Sequence, residues 1–260
     1  MRSSISSRDS SSRDDAALRV EDLTGPLPRP VIHDVSLAVP HGATHLVIGP
    51  IQAGKSMLMR HIVGLEHPVC GRIFLEGSRV DGAADSDAQL RRLRARLGVV
   101  FEGSALISRL SAVENVELPL LEHSRVTPVE ARQAARELLS EVGMADAADR
   151  TADGLGRSAQ RRVAIARALA LRPPMLLLDE PTQGLDAHAA HEVDELLRTL
   201  QARYGFGTLI FSHEVRHAFG MASEIYVMAG GTIVARGDRE ALEESENEVV
   251  RQLLHRRGGR

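Results

Sequence analysis

Gly49-Pro50-Ile51-Gln52-Ala53-Gly54-Lys55-Ser56 is the stretch from which the fold can be read. It fits G-x-x-x-x-G-K-[ST]. The apolar run His45 to Gly49 leads into it as a strand should, and Met57 to Val63 follows as a helix should. The pattern works by geometry: glycines let backbone N–H groups turn inward around phosphate oxygens, and the helix N-terminus adds the positive end of its dipole. Lys55 then reaches terminal phosphates and the Ser56 hydroxyl can ligate Mg²⁺. These eight residues are expected to bind a nucleoside triphosphate.

Outward from this loop, strand and helix patterns alternate. Leu18–Leu23 and Val35–Val39 alternate apolar and polar residues as half-buried strands do, with a loop over Gly25–Pro30 between them. Cys70–Glu76 reads as another strand, Asp87–Arg96 as a charged helix and Leu97–Phe101 as a buried strand. Thr127-Pro128-Val129-Glu130 is a capping box with proline at the first helical position, opening a helix through Val142. A polar break over Ala145–Gly156 precedes a helix at Arg161–Ala170. Met175-Leu-Leu-Leu-Asp179 is wholly apolar up to its last residue, the pattern of a parallel strand covered on both faces. A helix over Ala187–Arg203, a strand over Thr208–Ser212, a hairpin over Ile225–Val234 and a polar terminal helix complete the chain. The implied fold is an α/β phosphate-loop domain with an antiparallel β-subdomain and an inserted helical subdomain. The boundaries read as a disordered tail at 1–16, one domain at 17–242 with the helical insertion at about 103–160, and a terminal helix and tail at 243–260.

The 260 residues are 43% hydrophobic and 26% charged, enough for a sizeable core. A formal net charge of −3 gives no electrostatic case for a nucleic-acid partner. The single cysteine, Cys70, excludes an internal disulfide framework and fits a reducing compartment. No apolar run reaches the length of a membrane span, and the Ser/Arg/Asp-rich start has no apolar segment of the secretory kind.

Asp179 and Glu180 fall at the carboxyl end of the apolar strand, the edge of an open α/β sheet that faces the ligand crevice. There an aspartate can hold the Mg²⁺ shell, while the adjacent glutamate, pointing differently, is free to polarise a water. With Pro181-Thr-Gln-Gly184-Leu185-Asp186 following, the chain from about Leu18 to Leu242 resembles the ATP-binding subunit of an ABC transporter. Asp179-Glu180-Pro181-Thr182 resembles its Walker B motif, Gly184-Leu185-Asp186 its D-loop, and His213 its switch histidine. Arg162–Leu169 resembles the helix that follows the family signature. The resemblance implies ATP and Mg²⁺ as ligands, Ser56 and Asp179 as metal ligands, Glu180 as the catalytic base and His213 as a contact to the γ-phosphate.

The chain departs from that family's pattern in several places. Where the signature usually reads Leu-Ser-Gly-Gly-Gln, this chain has Leu155-Gly156-Arg157-Ser158-Ala159. In the family those residues close on the γ-phosphate of the opposite subunit, and losing one such donor typically costs about 2.7–4 kcal/mol of transition-state stabilisation. Arg157 can instead offer a cationic contact to phosphate. Glu102 stands where a glutamine is usual, Gln52 where the phosphate loop often has glycine, and no aromatic lies between Leu18 and Pro40 to stack on adenine. The half-site built from this chain's own loop is complete, and the half it offers to a partner is altered. The expectation is pairing with a second ATPase subunit, either a different one or a slow-turnover copy of itself.

His213-Glu-Val-Arg-His217 also spells H-E-x-x-H, a zinc-protease helix. A protease needs a third ligand and a cleft that the sequence does not suggest, and His213 is already where the ATPase reading places a histidine. His188, His191, His41 and His45 read as surface residues. Phe101–Leu120 is most similar to Mla-type ATPases, and Val249–Leu254 to the same subgroup. This implies lipid transport with transmembrane permease subunits and an MCE-domain protein, the chain lying on the cytoplasmic face of the cell membrane. Amino-acid importers share parts of these signals, and a non-hydrolysing regulatory subunit is the second class of function the sequence admits.

Overall fold

The computed structural model describes residues 16–26, 28, 31–80, 87–213 and 220–255. The expected N-terminal tail up to residue 15, part of the loop over 25–30, and His217 of the H-E-x-x-H stretch lie outside them. In chain order the strands are β1 (Ala16–Thr24), β2 (Val35–Pro40), β3 (Thr44–Ile48), β4 (Cys70–Leu75), β5 (Ser78–Arg79), β6 (Leu97–Val100), β7 (Met175–Asp179), β8 (Gly207–Ser212), β9 (Glu224–Ala229) and β10 (Thr232–Gly237). The helices are α1 (Lys55–Ile62), α2 (Asp87–Ala95), α3 (Ala112–His123), α4 (Pro128–Glu141), α5 (Arg157–Leu169), α6 (Ala187–Tyr204), α7 (Arg239–Glu243) and α8 (Glu248–His255). None of the described helices is long and apolar enough to cross a membrane.

The strands form two sheets. A four-stranded antiparallel sheet has the order β2-β1-β4-β5, and a six-stranded sheet the order β10-β9-β3-β8-β7-β6. In the larger sheet β9, β3, β8, β7 and β6 run parallel, and β10 turns back as a hairpin on the edge. β3 is buried at every position and β7 at all but its last, as the apolar runs require. Side chains alternate between two cores. Val47, Leu177, Leu209 and Phe211 face the antiparallel sheet and α1, whereas Leu46, Ile48, Leu176, Leu178 and Ile210 face the helical side. This placement corrects one expectation: His45 is not a surface residue but 5% exposed within β3, its ring tilted against Tyr226 at 5.9 Å. A strand flanked by neighbours on both edges and covered on both faces has no solvent side to offer it.

The helical insertion holds α3 and α4, with α5 returning the chain to the sheet. The capping box expected at Thr127 and Glu130 is formed, and a second one at Ser111 and Glu114 opens α3. Asn115, fully buried, anchors the loop before α3. Its Oδ1 accepts from Ile107 N–H at 2.8 Å, and its Nδ2 donates to the carbonyls of Ile107, Leu110 and Ser111. The insertion is tied to the rest of the chain by Arg162, which donates to the Val142 carbonyl and pairs with Glu192, and by Tyr204, whose hydroxyl donates to Glu141.

Strand order is what brings the chemistry together. β3 and β8 are adjacent with Ile48 opposite Ser212, and β8 and β7 are adjacent with Phe211 opposite Asp179. The carboxyl ends of three neighbouring parallel strands therefore deliver the phosphate loop, Asp179–Glu180 and Ser212–His213 to one edge.

Candidate active site

The loop Gly49 to Ser56 leaves β3 and enters α1. A Cβ on Gly49 would overlap the Met228 carbonyl oxygen of β9, so the turn out of the strand admits only glycine. Gly54, at the N-cap of α1, has φ 105°, a left-handed conformation open to glycine. Gln52 also lies at positive φ, 69°, which explains physically why glycine is common at this position in the family it resembles. Ile51 and Gln52 are exposed, while Ala53 and Lys55 are buried. Lys55 donates to the carbonyls of Gly49 at 2.8 Å and Pro50 at 3.1 Å, so its ammonium lies inside the loop's own curl. Burial holds that ammonium below the usual lysine range, opposed by the charges of Glu180 and Asp179.

Asp179 ends β7 beside two further carboxylates. Burial first, then Glu180 and Glu102, push its carboxyl up to about 6, with Lys55 and Arg161 pulling the other way. Such a site favours an added positive charge. The exposed Ser56 hydroxyl in the first turn of α1 and the Asp179 carboxylate are oxygen donors of the kind Mg²⁺ takes. The donor set fits the metal, which when bound would neutralise phosphate charge.

Glu180 follows at φ 47°, its N–H bonded to the Phe211 carbonyl at 2.9 Å. That left-handed turn sends its side chain away from Asp179 and toward the end of β8. Its Oε1 accepts from the His213 backbone N–H at 2.7 Å and lies 2.6 Å from His213 Nδ1, and its Oε2 accepts from the Ser212 hydroxyl at 2.8 Å. Glu180 is 7% exposed and Ser212 5%, so the carboxylate is held in a shielded site. The sequence points to Glu180 and His213 but not to Ser212, because the hydroxyl reaches Glu180 only through the β7–β8 register.

Glu102, whose charge acts on Asp179, and Arg157 border a cleft of about 720 Å³ that Ser104, Gln160, Arg161 and Gln183 also line. The backbone here is braced by α5: Arg161 donates to the carbonyls of Phe101 and Glu102, and Arg167 to those of Ser104 and Ala105. Gly156 is the N-cap of α5 and supplies no side-chain cap, although a Cβ there would meet open space. Arg157 is exposed, and its Nη1 lies against Gly184, where an added Cβ would approach within 2.6 Å. Among the described residues no cluster of three or more histidine, cysteine, aspartate or glutamate side chains is arranged to hold a metal, and His213 is engaged with Glu180.

Comparison with known proteins agrees with this geometry. Residues 32–183 match the ABC transporter family model. The glutamine transport ATP-binding protein GlnQ of Escherichia coli is 37% identical over 83% of this chain and 88% of its own length. The lipoprotein-releasing system ATP-binding protein LolD of Anaeromyxobacter dehalogenans is 38% identical over 85% of this chain and 92% of its own. The methionine import ATP-binding protein MetN of Rhizobium meliloti is 37% identical over 97% of this chain but only 70% of its own length; for MetN 1 of Rhodococcus jostii the last figure is 60%. Among solved structures, the dimeric post-hydrolysis state of the ATP-binding cassette MJ0796 bound to ADP and Pi superposes with TM-score 0.76 at 28% identity, over 85% of this chain and 98% of that one. cbiO1 of Clostridium perfringens superposes with TM-score 0.80 at 27% identity, over 93% and 96%. With the phosphate loop, Asp179–Glu180 and His213 gathered at one sheet edge, the chain is an ATP-hydrolysing, Mg²⁺-dependent nucleotide-binding subunit of the ABC transporter family.

Proposed function

We propose that this subunit powers a solute importer of the amino-acid type, with Glu180 as its catalytic base. The observation that carries the chemical half is the carboxylate of Glu180, held at 2.6–2.8 Å by Ser212 and His213 at the edge that bears the phosphate loop. The backbone amides of Gly49 to Ser56 cradle the phosphates, and Lys55 leaves the Gly49 and Pro50 carbonyls to meet the terminal ones. Ser56 and Asp179 would hold the metal, whose charge would offset that of the phosphates. The His213 ring turns to the γ-phosphate, and Glu180 takes the proton of the attacking water.

The transport half draws support from a relative that matches over most of its length: GlnQ is a glutamine transport protein, and 88% of it aligns with this chain. The similarity of Phe101–Leu120 to Mla-type subunits, and the MCE-domain partner it implies, gain nothing from these relatives. LolD, from a lipoprotein-releasing system, keeps a lipid-linked cargo as the second reading. In either case separate permease subunits span the membrane, and this chain sits on its cytoplasmic face. A groove of about 430 Å³ between the sheet and α3, lined by Leu65, Phe101, Leu118 and Pro119, offers those permeases an apolar seat. Leu65 and Phe101 are 53% and 37% exposed beside it.

ATP would bind between two subunits facing head to tail, each completing the other's site with the start of α5. Here that contribution comes from Gly156 and Arg157, which supports pairing with a second, different ATPase or slow turnover in a pair of identical copies. Purification of the native complex, with identification of partner chains and bound molecules by mass spectrometry, tests the proposal. Uptake of radiolabelled glutamine or methionine that stops with Glu180→Gln supports it. Co-purified phospholipid with an MCE-domain chain, and no amino-acid uptake, overturns the importer reading.

A further inference from the structure

We propose that Ser212 is a positioning residue for Glu180, fixing the carboxylate that receives the proton of the attacking water. The inference rests on the reading of Glu180 as the base. Oε1 is already engaged by two donors from one residue, the His213 backbone N–H at 2.7 Å and Nδ1 at 2.6 Å. These occupy both of its lone-pair directions. Among the described residues Oε2 receives a single donor, the Ser212 hydroxyl at 2.8 Å, so this hydroxyl alone fixes that side of the carboxylate.

The three contacts differ in permanence. The His213 ring extends beyond the end of β8 and is about one-third exposed. When it turns to a phosphate oxygen it gives up Oε1. Ser212 instead is the last residue of β8, 5% exposed, and its strand is paired on both edges with β3 and β7. A hydroxyl on a doubly paired strand holds its partner more tightly than a ring on a loop does. Ser212 and the His213 N–H therefore keep the carboxylate plane fixed through the step in which the ring is needed elsewhere. In that step the water oxygen bonds to the γ-phosphorus while one water O–H bond breaks, its proton passing to the Glu180 carboxylate. The bond from phosphorus to the β,γ-bridging oxygen breaks with its electron pair leaving on ADP. No oxidant or further reactant is required.

A purely structural role for the Ser212 hydroxyl, satisfying a buried carboxylate, would show in stability and not in chemistry. Single-turnover cleavage of Mg-ATP by excess full-length protein separates the two, with binding followed in parallel by fluorescent ATP. Ser212→Ala is expected to slow cleavage roughly ten- to a hundred-fold, the scale of a small misplacement of a reacting group, while ATP binds with wild-type affinity. Ser212→Thr, which keeps the hydroxyl, is expected to restore cleavage to within about threefold of wild type. In a Glu180→Gln background Ser212→Ala is expected to add nothing, since the two act as one unit. Cleavage by Ser212→Ala within twofold of wild type overturns the inference alone, as does an additive loss in the Glu180→Gln background. Wild-type cleavage by Glu180→Gln overturns the assignment of the base and the inference with it. Thermal unfolding of each variant checks that a slow rate comes from a folded protein.

Discussion

Asp179→Asn is expected to make the nucleotide-free protein more stable while abolishing Mg-ATP binding. The carboxyl of Asp179 lies at about 6 against a usual 3.8, raised by burial and by the charges of Glu180 and Glu102. A group whose acid form is favoured by folding costs stability when ionised, because the unfolded chain releases that proton more easily. The cost is complete above the folded pKa, shrinks as pH falls through it, and is gone near the unfolded value. A displacement of that size corresponds to roughly 3 kcal/mol, and solvent screening of this half-buried group reduces that to roughly 1–2 kcal/mol. For a chain of this size the gain amounts to roughly 2–6 °C in melting temperature. Thermal unfolding of wild type and Asp179→Asn without nucleotide, in EDTA, should show the full difference at pH 8. At pH 5 about half should remain. Equal melting temperatures at pH 8, or a gain that does not change with pH, would refute the electrostatic account of this edge.

Three further perturbations follow from the geometry. Lys55→Ala removes the ammonium now bonded to Gly49 and Pro50; ATP affinity should fall about ten- to a hundred-fold, the worth of a charge-assisted contact of roughly 1.5–3 kcal/mol, by equilibrium titration with fluorescent ATP. Gly156→Ser combined with Arg157→Gly restores two of the four altered signature residues, and at Gly156 an added Cβ meets open space. Steady-state phosphate release by the purified chain should rise by roughly a hundred-fold or more, and an unchanged rate would show that the α5 start does not limit turnover. Asn115→Ala strips four hydrogen bonds from the loop before α3 and leaves the Ile107 N–H without its acceptor. Denaturant unfolding should show a loss of about 2–4 kcal/mol, with ATP binding retained by the folded fraction.

Much of this site is legible in the sequence because it depends on local pattern. The glycines of 49–56, the apolar run into Asp179 and the hydroxyl–proline–glutamate cap at 127–130 each specify their own conformation within a few residues. The edge on which the residues meet follows from parallel strands alone. Other features depend on which distant segments become neighbours. Arg161 and Arg167 read as two cations on a helix, and their bonds to the carbonyls of residues 101, 102, 104 and 105 exist only once α5 docks beside β6. Ser212 meets Glu180 through strand register, and His45 is buried because β3 takes the centre of the sheet. Cargo is least legible: the motifs that bind nucleotide are the same whatever is carried, and the lipid reading rests only on the similarity of Phe101–Leu120 and Val249–Leu254 to one subgroup.

The most direct test of the account is the fate of ATP bound to Glu180→Gln. Wild type and variant are saturated with Mg-ATP under single-turnover conditions, and bound nucleotide is separated into ATP and ADP over time. Equal ATP affinity is expected, with conversion to ADP in the variant slower than in wild type by about a hundred- to ten-thousand-fold. Cleavage by Glu180→Gln at the wild-type rate would contradict the account.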